Sequence, residues 1–532
     1  MQMVQLKNWG FCYPGSEAPA LSHVNFAIEE GAFVLLCGVS GSGKSTLLSH
    51  LKREMAPHGT QTGTIEWQGS PLSAMSERES AQRIGYVAQT PETQIVTDTV
   101  WHELAFGLEN LGTPVQVMRR RVAEIAHFFG IESWFRQRTD TLSGGQKQLV
   151  NLASVLVMQP RLLILDEPTA QLDPVAARQF LQAVQRVHEE LGVTVLLCEH
   201  ALEEVLPLAT QVLFLQGGTL AFDGPPQAFL QQMASLPSDD FRLALPAASR
   251  LALSLGQTEH IPITVQQGRS LLKAQRAHVS ARDEKVCGEG QRAPVLCAKE
   301  LWFRYGSDLP FVLRDFSLPL YAGEIHALVG GNGCGKSTAL AVLSGGYRPQ
   351  RGKCRGKGQP ALLTQDTRAM FAHDTVEAEL RKTAQAYSQT DRWEEITAKL
   401  QIAALLTKHP YDISVGERQR AALAKCLLTG APALLLDEPT KGMDAQAKQN
   451  LAQLLNTAKS MGQAVCLVTH DLEFAAAVAD RCSMMFDGTV MATDQGRAFF
   501  LGNQFYTTAV HRMTQGILPG CVVQEDLIVE KT

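Results

Sequence analysis

Two kinds of stretch in this 532-residue chain hold residues whose types and spacing could do chemistry. Gly38-Val39-Ser40-Gly41-Ser42-Gly43-Lys44-Ser45, followed by Thr46, fits G-x-x-x-x-G-K-[ST]. Glycines at those positions let the backbone curl until successive N–H groups face a polyphosphate. Lys44 adds a cation for the terminal phosphates and Ser45 a hydroxyl for Mg2+. Further on, Leu162-Leu163-Ile164-Leu165 ends on adjacent carboxylates, Asp166 and Glu167. An apolar run that does not alternate reads as a strand buried on both faces of a parallel sheet. Ligands bind beyond the carboxyl ends of such strands. Two acids placed there are costly unless a cation or a reacting water uses them.

Both stretches occur twice. Residues 142–173, LSGGQKQLVNLASVLVMQPRLLILDEPTAQLD, return as residues 413–444, ISVGERQRAALAKCLLTGAPALLLDEPTKGMD. The phosphate loop returns as Gly330-Gly331-Asn332-Gly333-Cys334-Gly335-Lys336-Ser337, followed by Thr338. Each loop follows a strand-like run (32–36, 325–329), and the first leads into a helical one, 46–54, the context the motif requires. A single match can be fortuitous; two copies in matching context cannot. The chain carries one nucleotide-handling module twice.

The bulk numbers narrow the setting. A chain of this length should form two or more domains with ample cores. Composition is ordinary for a globular protein, 45% hydrophobic and 19% charged, and the net charge of −5 argues against a broad nucleic-acid footprint. Eleven cysteines without a C-x-x-C pair suggest neither a zinc site nor a disulfide framework, which fits a reducing compartment. The N-terminal stretch has no signal-peptide apolar region, and no apolar run is long enough to span a bilayer.

Phosphate loop, LSGGQ, apolar strand with Asp-Glu and a later strand ending in His together resemble the ATPase subunits of ABC transporters, over roughly residues 3–225 and 295–500. The resemblance implies an α/β fold of two P-loop ABC ATPase modules in tandem, each a mainly parallel sheet with a small antiparallel sheet and a helical subdomain. It implies ATP and Mg2+ as cofactors. ATP contacts would come from Tyr13, Gly38, Ser40, Gly41, Gly43, Lys44, Ser45 and Thr46 in the first module. Their counterparts would be Tyr305, Gly330, Asn332, Gly333, Gly335, Lys336, Ser337 and Thr338. Ser143, Gly145, Ser414 and Gly416 would contribute from the signatures, and Tyr13 and Tyr305 would stack on adenine. Ser45, Gln89 and Asp166, and Ser337, Gln365 and Asp437, would serve the metal. Glu167 and Glu438 would polarise the attacking water, with Gln89, Gln365, His200 and His470 as sensors and switches. A lone histidine is more often a packed residue. Here the separations agree, 34 residues from Asp166 to His200 and 33 from Asp437 to His470.

The halves are not equal. Lysine to signature serine is 99 residues in the first and 78 in the second, with most of the loss before the glutamine. The second half should therefore trim its antiparallel sheet. Its signature reads Ser414-Val415-Gly416-Glu417, where a side chain at Val415 would restrict backbone approach to phosphate. Residues 90–112, TPETQIVTDTVWHELAFGLENLG, resemble the helix entry of energy-coupling factor importers of vitamins and metal ions, through Gln94, Glu103 and 106–110. That likeness implies a membrane coupling subunit and a substrate-binding membrane subunit as partners, at the cytoplasmic face of the membrane. It also implies head-to-tail pairing of the two modules. The expected divisions are a first ATPase domain at 1–230, a docking extension and linker at 231–294, a second ATPase domain at 295–503 and a tail at 504–532. The linker's Lys and Arg barely outnumber its acids, too mild for a nucleic-acid arm. A ribosome-acting tandem ATPase would usually carry a long charged linker helix, which 231–294 does not supply. The fused ATPase of sugar importers often has a degenerate second site, against the intact Lys336, Glu438 and His470.

Overall fold

The computed structural model describes residues 2–16, 18–235, 240–281 and 293–530; the Val415 side chain, expected to crowd the second signature, lies outside the described set. The chain divides into two compact units, Met1–Thr264 and Val265–Thr532. The division falls inside the segment 231–294.

In the first unit the apolar runs become strands of one six-stranded sheet. Its order is Thr219–Gly224, Gln211–Gln216, Phe33–Gly38, Thr194–Cys198, Leu162–Asp166, Ile84–Val87. All pairings are parallel except that of the first-named edge strand. Strand residues alternate faces. Val34, Leu36, Leu162, Ile164, Leu196 and Leu213 share a core with Val4, Leu6, Trp9, Phe11 and Ile28 of a four-stranded antiparallel sheet. Helices Val100–Asn110, Val115–Phe128 and Gly144–Leu156 pack together as the helical subdomain.

The second unit repeats this plan. Its six-stranded sheet runs Ala361–Leu363, Ala433–Asp437, Ala464–Val468, Ile325–Val329, Arg481–Phe486, Thr489–Gln495. The antiparallel sheet has three strands, and no counterpart of the helix Glu77–Arg83 is found among the described residues. This is the trimming that the shorter spacing predicts.

The tail and part of the presumed linker are structural. Val279–Ala281 pairs antiparallel with Leu527–Val529, and the helix Val265–Ala274 packs on Ala509–Thr514. Of the expected extension and linker, 236–239 and 282–292 lie outside the described residues. The C-terminal stretches of the two units also correspond. Glu203 Oε2 accepts from Ala247 N at 2.8 Å, at the start of the helix Ala247–Ser254. Glu473 Oε1 accepts from Ala509 N at 2.6 Å, at the start of Ala509–Thr514. Each glutamate lies three residues after its module's His200 or His470 and supplies a carboxylate at a helix start, where N–H groups lack intrahelical partners.

Candidate functional site

Gly38 closes the strand that leads into the first loop, and a Cβ there would stand 2.2 Å from Leu215 O, so no side chain fits. The chain then turns through Gly41 and Gly43, both at positive φ, and the helix Lys44–His50 begins at the lysine itself. Lys44 is buried, its Nζ donating to Gly38 O at 2.9 Å and Val39 O at 3.0 Å. Lys336 repeats this with Gly330 O at 2.9 Å and Gly331 O at 2.8 Å. Tyr13 is 41% exposed and Tyr305 55%, and each is tied by its hydroxyl to the threonine after the loop serine: Thr46 Oγ1 at 2.9 Å, Thr338 Oγ1 at 3.0 Å.

The strand Leu162–Asp166 carries the acids to the same place. Ser45 Oγ donates to Asp166 Oδ1 at 3.3 Å, and Tyr86 donates its phenol proton to Asp166 Oδ2 at 3.0 Å. Burial, then the neighbouring Glu167, raises the Asp166 pKa against those two donors. Glu167 sits in the left-handed backbone region at φ 46, as Glu438 does at φ 50, a conformation costly for a residue with a Cβ. That turn faces the carboxylate toward two partners. Oε1 lies 2.8 Å from His200 Nε2, and Oε2 accepts from Gln89 Nε2 at 2.7 Å. Burial opposes ionisation of Glu167, but the His200 hydrogen bond and charge, with Lys44, hold its pKa below the ordinary value.

The second site differs. His470 Nε2 is 3.3 Å from Glu438 Oε1, and His470 N donates to Oε2 at 3.2 Å. Burial pushes the Glu438 carboxyl up to about 8 against the His470 N–H bond. Asp437 is raised by burial too, opposed by its Ser337 bond, and its Oδ1 is buried with no hydrogen-bond partner among the described residues. Gln365 is exposed and makes no hydrogen bond to Glu438 among the described residues. The chain after Ala361–Leu363 enters the short helix Thr367–Met370, capped by Asp366, and this carries Gln365 outward.

An oxygen-lined site beside a phosphate loop suits Mg2+, which takes oxygen ligands. Asp166, Glu167 and the Cys198 thiol approach within 4.8 Å of one another, but Cys198 is fully buried with its pKa raised by that burial. It stays a thiol, and the oxygens of Ser45 and Asp166 fit the cation. Asp437 Oδ1 and Ser337 offer the same in the second unit.

The signature residues stand apart from these clusters. Ser143 caps the helix Gly144–Leu156 and Ser414 caps Val415–Leu428, each in a reciprocal box with Gln146 or Glu417. Glu417 thus makes the same turn as Gln146, its carboxylate accepting from Ser414 N at 2.8 Å. Gly416 admits no Cβ, since Gly442 O would lie 2.6 Å away, whereas Gly145 has Ala176 Cβ at 3.1 Å. Ser143 and Ser414 are hydrogen-bonded to none of the phosphate-loop residues of their own units among the described residues.

Sequence reasoning missed Tyr86 and Glu199. Tyr86 lies three residues before Gln89 on a largely buried strand, Ile84–Val87, where a phenol reads as one more apolar strand residue. Glu199, buried between Cys198 and His200, accepts from Thr169 N at 3.0 Å and Thr169 Oγ1 at 2.6 Å. The second unit has Thr469 there, 3.3 Å from Thr440 Oγ1. A charged residue within an apolar strand end was the available signal.

The family model described as ABC transporter matches residues 21–170 and 313–441. A Bacillus cereus protein provisionally named an ABC transporter ATP-binding protein is 40% identical over 98% of this chain and 97% of its own. A Bacillus subtilis protein, provisionally named an HMP/thiamine import ATP-binding protein, is 32% identical over 91% of this chain and 90% of its own. A solved complex of archaeal ribosomal stalk protein and ribosome recycling factor aligns over 93% of this chain and 91% of that one. Its TM-score is 0.60 at 20% identity, a likeness of fold alone. With two matched regions, each enclosing a phosphate loop and its Asp-Glu pair, the chain belongs to the ABC transporter ATP-binding proteins and is an ATPase with two tandem modules.

Proposed function

We propose that this ATPase drives an importer of the energy-coupling factor type, for a vitamin or a metal ion, from the cytoplasmic face of the membrane. Its partners would be a membrane coupling subunit and a substrate-binding membrane subunit. The observation that carries the reading is the loop after Gln89. Gln94 staples that loop to its strand, accepting from Ala88 N at 3.0 Å and donating to Tyr86 O at 2.9 Å. Glu103, buried, accepts from Val96 N at 3.0 Å and Thr97 N at 2.7 Å. Between these staples Val96 is 66% exposed, and Trp101 beside Glu103 is 44% exposed. Gln94 and Glu103 are the residues that carry the likeness to those importers, and the full-length relative named for HMP/thiamine import supports the same class. A rigid loop showing apolar side chains next to the catalytic glutamine suits a surface that passes nucleotide state to a partner. Among the described residues no helix is long and apolar enough to cross a membrane.

In this reading Lys44 and Lys336 hold phosphates and Asp166 and Asp437 the cation; Glu167 and Glu438 take the proton of the attacking water, and His200 and His470 orient those carboxylates. Bound Mg2+ would neutralise charge on the phosphates. The signature serines, capped helix starts with N–H groups free for an anion, would complete sites head to tail, Ser143 for Lys336 and Ser414 for Lys44. Co-expression with a cognate coupling subunit tests the assignment. The full chain should co-purify with it in detergent, and Val96→Asp with Trp101→Ala should abolish that while nucleotide binding remains. Tight sedimentation with ribosomes and no membrane partner would refute it.

A further inference from the structure

We propose that Tyr506, in the C-terminal segment beyond the second ATPase core, is a positioning residue of the second nucleotide site, acting through the phosphate-loop backbone at Gly331. Among the described residues, a Cβ built on Gly331 would have one neighbour within 4 Å, the Tyr506 hydroxyl oxygen at 3.9 Å. At that distance the phenol would be in ordinary van der Waals contact with a Cβ, and the branches of a larger side chain at position 331 would have to share its space. Gly331 is also the residue whose carbonyl, with that of Gly330, receives Lys336 Nζ.

The first module has the opposite sizes at the aligned positions. Aligning the loops places Val39 at Gly331. Aligning the C-terminal stretches on the shared glutamate contacts, Ala247 with Ala509, places Ala244 at Tyr506. One module pairs a valine in the loop with an alanine in the extension; the other pairs a glycine with a tyrosine. Large and small have changed places, as packed partners do when the volume between them is kept.

The segment that carries Tyr506 is anchored at several points. Thr507 Oγ1 donates to Phe500 O at 2.7 Å and Thr508 Oγ1 to Val522 O at 2.6 Å, both buried. Tyr506 packs on a core of Phe499, Phe500 and Val522 with Ala327 and Val329, from the strand that feeds the phosphate loop, and Leu472, from the helix after His470. Glu473 of that helix holds Ala509 N. One rigid body thus touches the loop that would carry the phosphates and the helix that follows the switch histidine. A binding loop whose supporting contacts are fixed in advance spends less free energy on being ordered by its ligand.

The inference rests on the second loop being a nucleotide site, and the experiment separates the two. In the full chain, an azido-ATP photoprobe with Mg2+ is titrated and labelling at each phosphate loop is read by peptide mapping. Lys336→Ala should abolish labelling near the second loop only; if it does not, the assignment of the site fails. With that control met, Tyr506→Ala and Gly331→Val should each weaken labelling at the second loop by about threefold or more, as coupled neighbours do, and leave the first loop unchanged. In steady-state hydrolysis the effect should fall on KM with little change in kcat. The double variant, which reproduces the valine–alanine pair of the first module, should recover most of the affinity. Tyr506→Phe keeps the ring in its core, so weakened labelling with an unchanged melting temperature assigns the effect to the hydroxyl at Gly331. Additive losses in the double variant, or unchanged labelling in Tyr506→Ala, would overturn the inference.

Discussion

Replacing Glu199 by glutamine should stabilise the first unit about three times as much at pH 8 as at pH 5. Glu199 is 4% exposed, and burial pushes its pKa from 4.5 up to about 7, against the two Thr169 hydrogen bonds and with Glu167 adding to the rise. A raised carboxyl pKa means the native state holds the proton more tightly than the unfolded chain. Below 4.5 both states are protonated and nothing is lost. As pH rises the unfolded chain ionises first, so stability falls until both states are ionised above about 7. At 1.36 kcal/mol per pKa unit, a displacement from 4.5 to about 7 costs about 3 kcal/mol at pH 8 and about 1 kcal/mol at pH 5. Glutamine keeps the oxygen that accepts from Thr169 and removes the charge. For a unit of this size the gain corresponds to roughly 6–10 °C at pH 8. Scanning calorimetry of wild type and Glu199→Gln at pH 5 and pH 8 reads it as a change in the first unit's transition alone. An equal shift at both pH values, or destabilisation at pH 8, would refute the buried-proton argument.

Tyr86→Phe removes the phenol donor from Asp166 while keeping the ring. A hydrogen bond to a charged group contributes ~1.5–3 kcal/mol, so Mg2+-dependent nucleotide labelling at the first loop should weaken about tenfold, with the second loop unaffected; unchanged Mg2+ dependence would remove Tyr86 from the site. In the second unit, buried Glu379 accepts from Ala372 N, His373 N and Lys425 Nζ, and these donors outweigh burial to hold its pKa at about 2. A depressed pKa gives stability that is present above about 4.5 and lost as pH falls through about 2. Glu379→Gln should therefore cost ~2 kcal/mol at pH 6, discounted for solvent at Lys425, and the deficit should close between pH 4.5 and pH 2 in acid-unfolding curves. Glu167→Gln and Glu438→Gln should each lower steady-state hydrolysis while labelling persists, with losses of about 10²-fold or more for a general base. If the modules pair head to tail, the larger loss belongs to Glu438→Gln, whose site would receive the unaltered signature; a larger loss from Glu167→Gln would reverse that order.

The repeat, both phosphate loops, both Asp-Glu pairs and the two histidines were legible in the sequence because each is fixed by local chemistry. A phosphate loop needs glycines beside a lysine, and a strand buried on both faces needs an unbroken apolar run before it can present acids at its end. The shorter antiparallel sheet could be read from spacing for the same reason. What the sequence could not carry were contacts between residues far apart in the chain and without motif. Tyr86 meets Asp166 across 80 residues, because two strands distant in sequence are neighbours in the sheet. Gln365 occupies the position of Gln89, but a capped turn after a three-residue strand carries it outward, whereas Gln94 staples the first loop in place. The last thirty or so residues showed no chemistry as a string. They acquire a role only when folding packs Phe499, Phe500 and Val522 beneath the strand Ile325–Val329 and brings a tyrosine against a glycine. That contact depends on the volume between two backbones, which no single segment of sequence specifies.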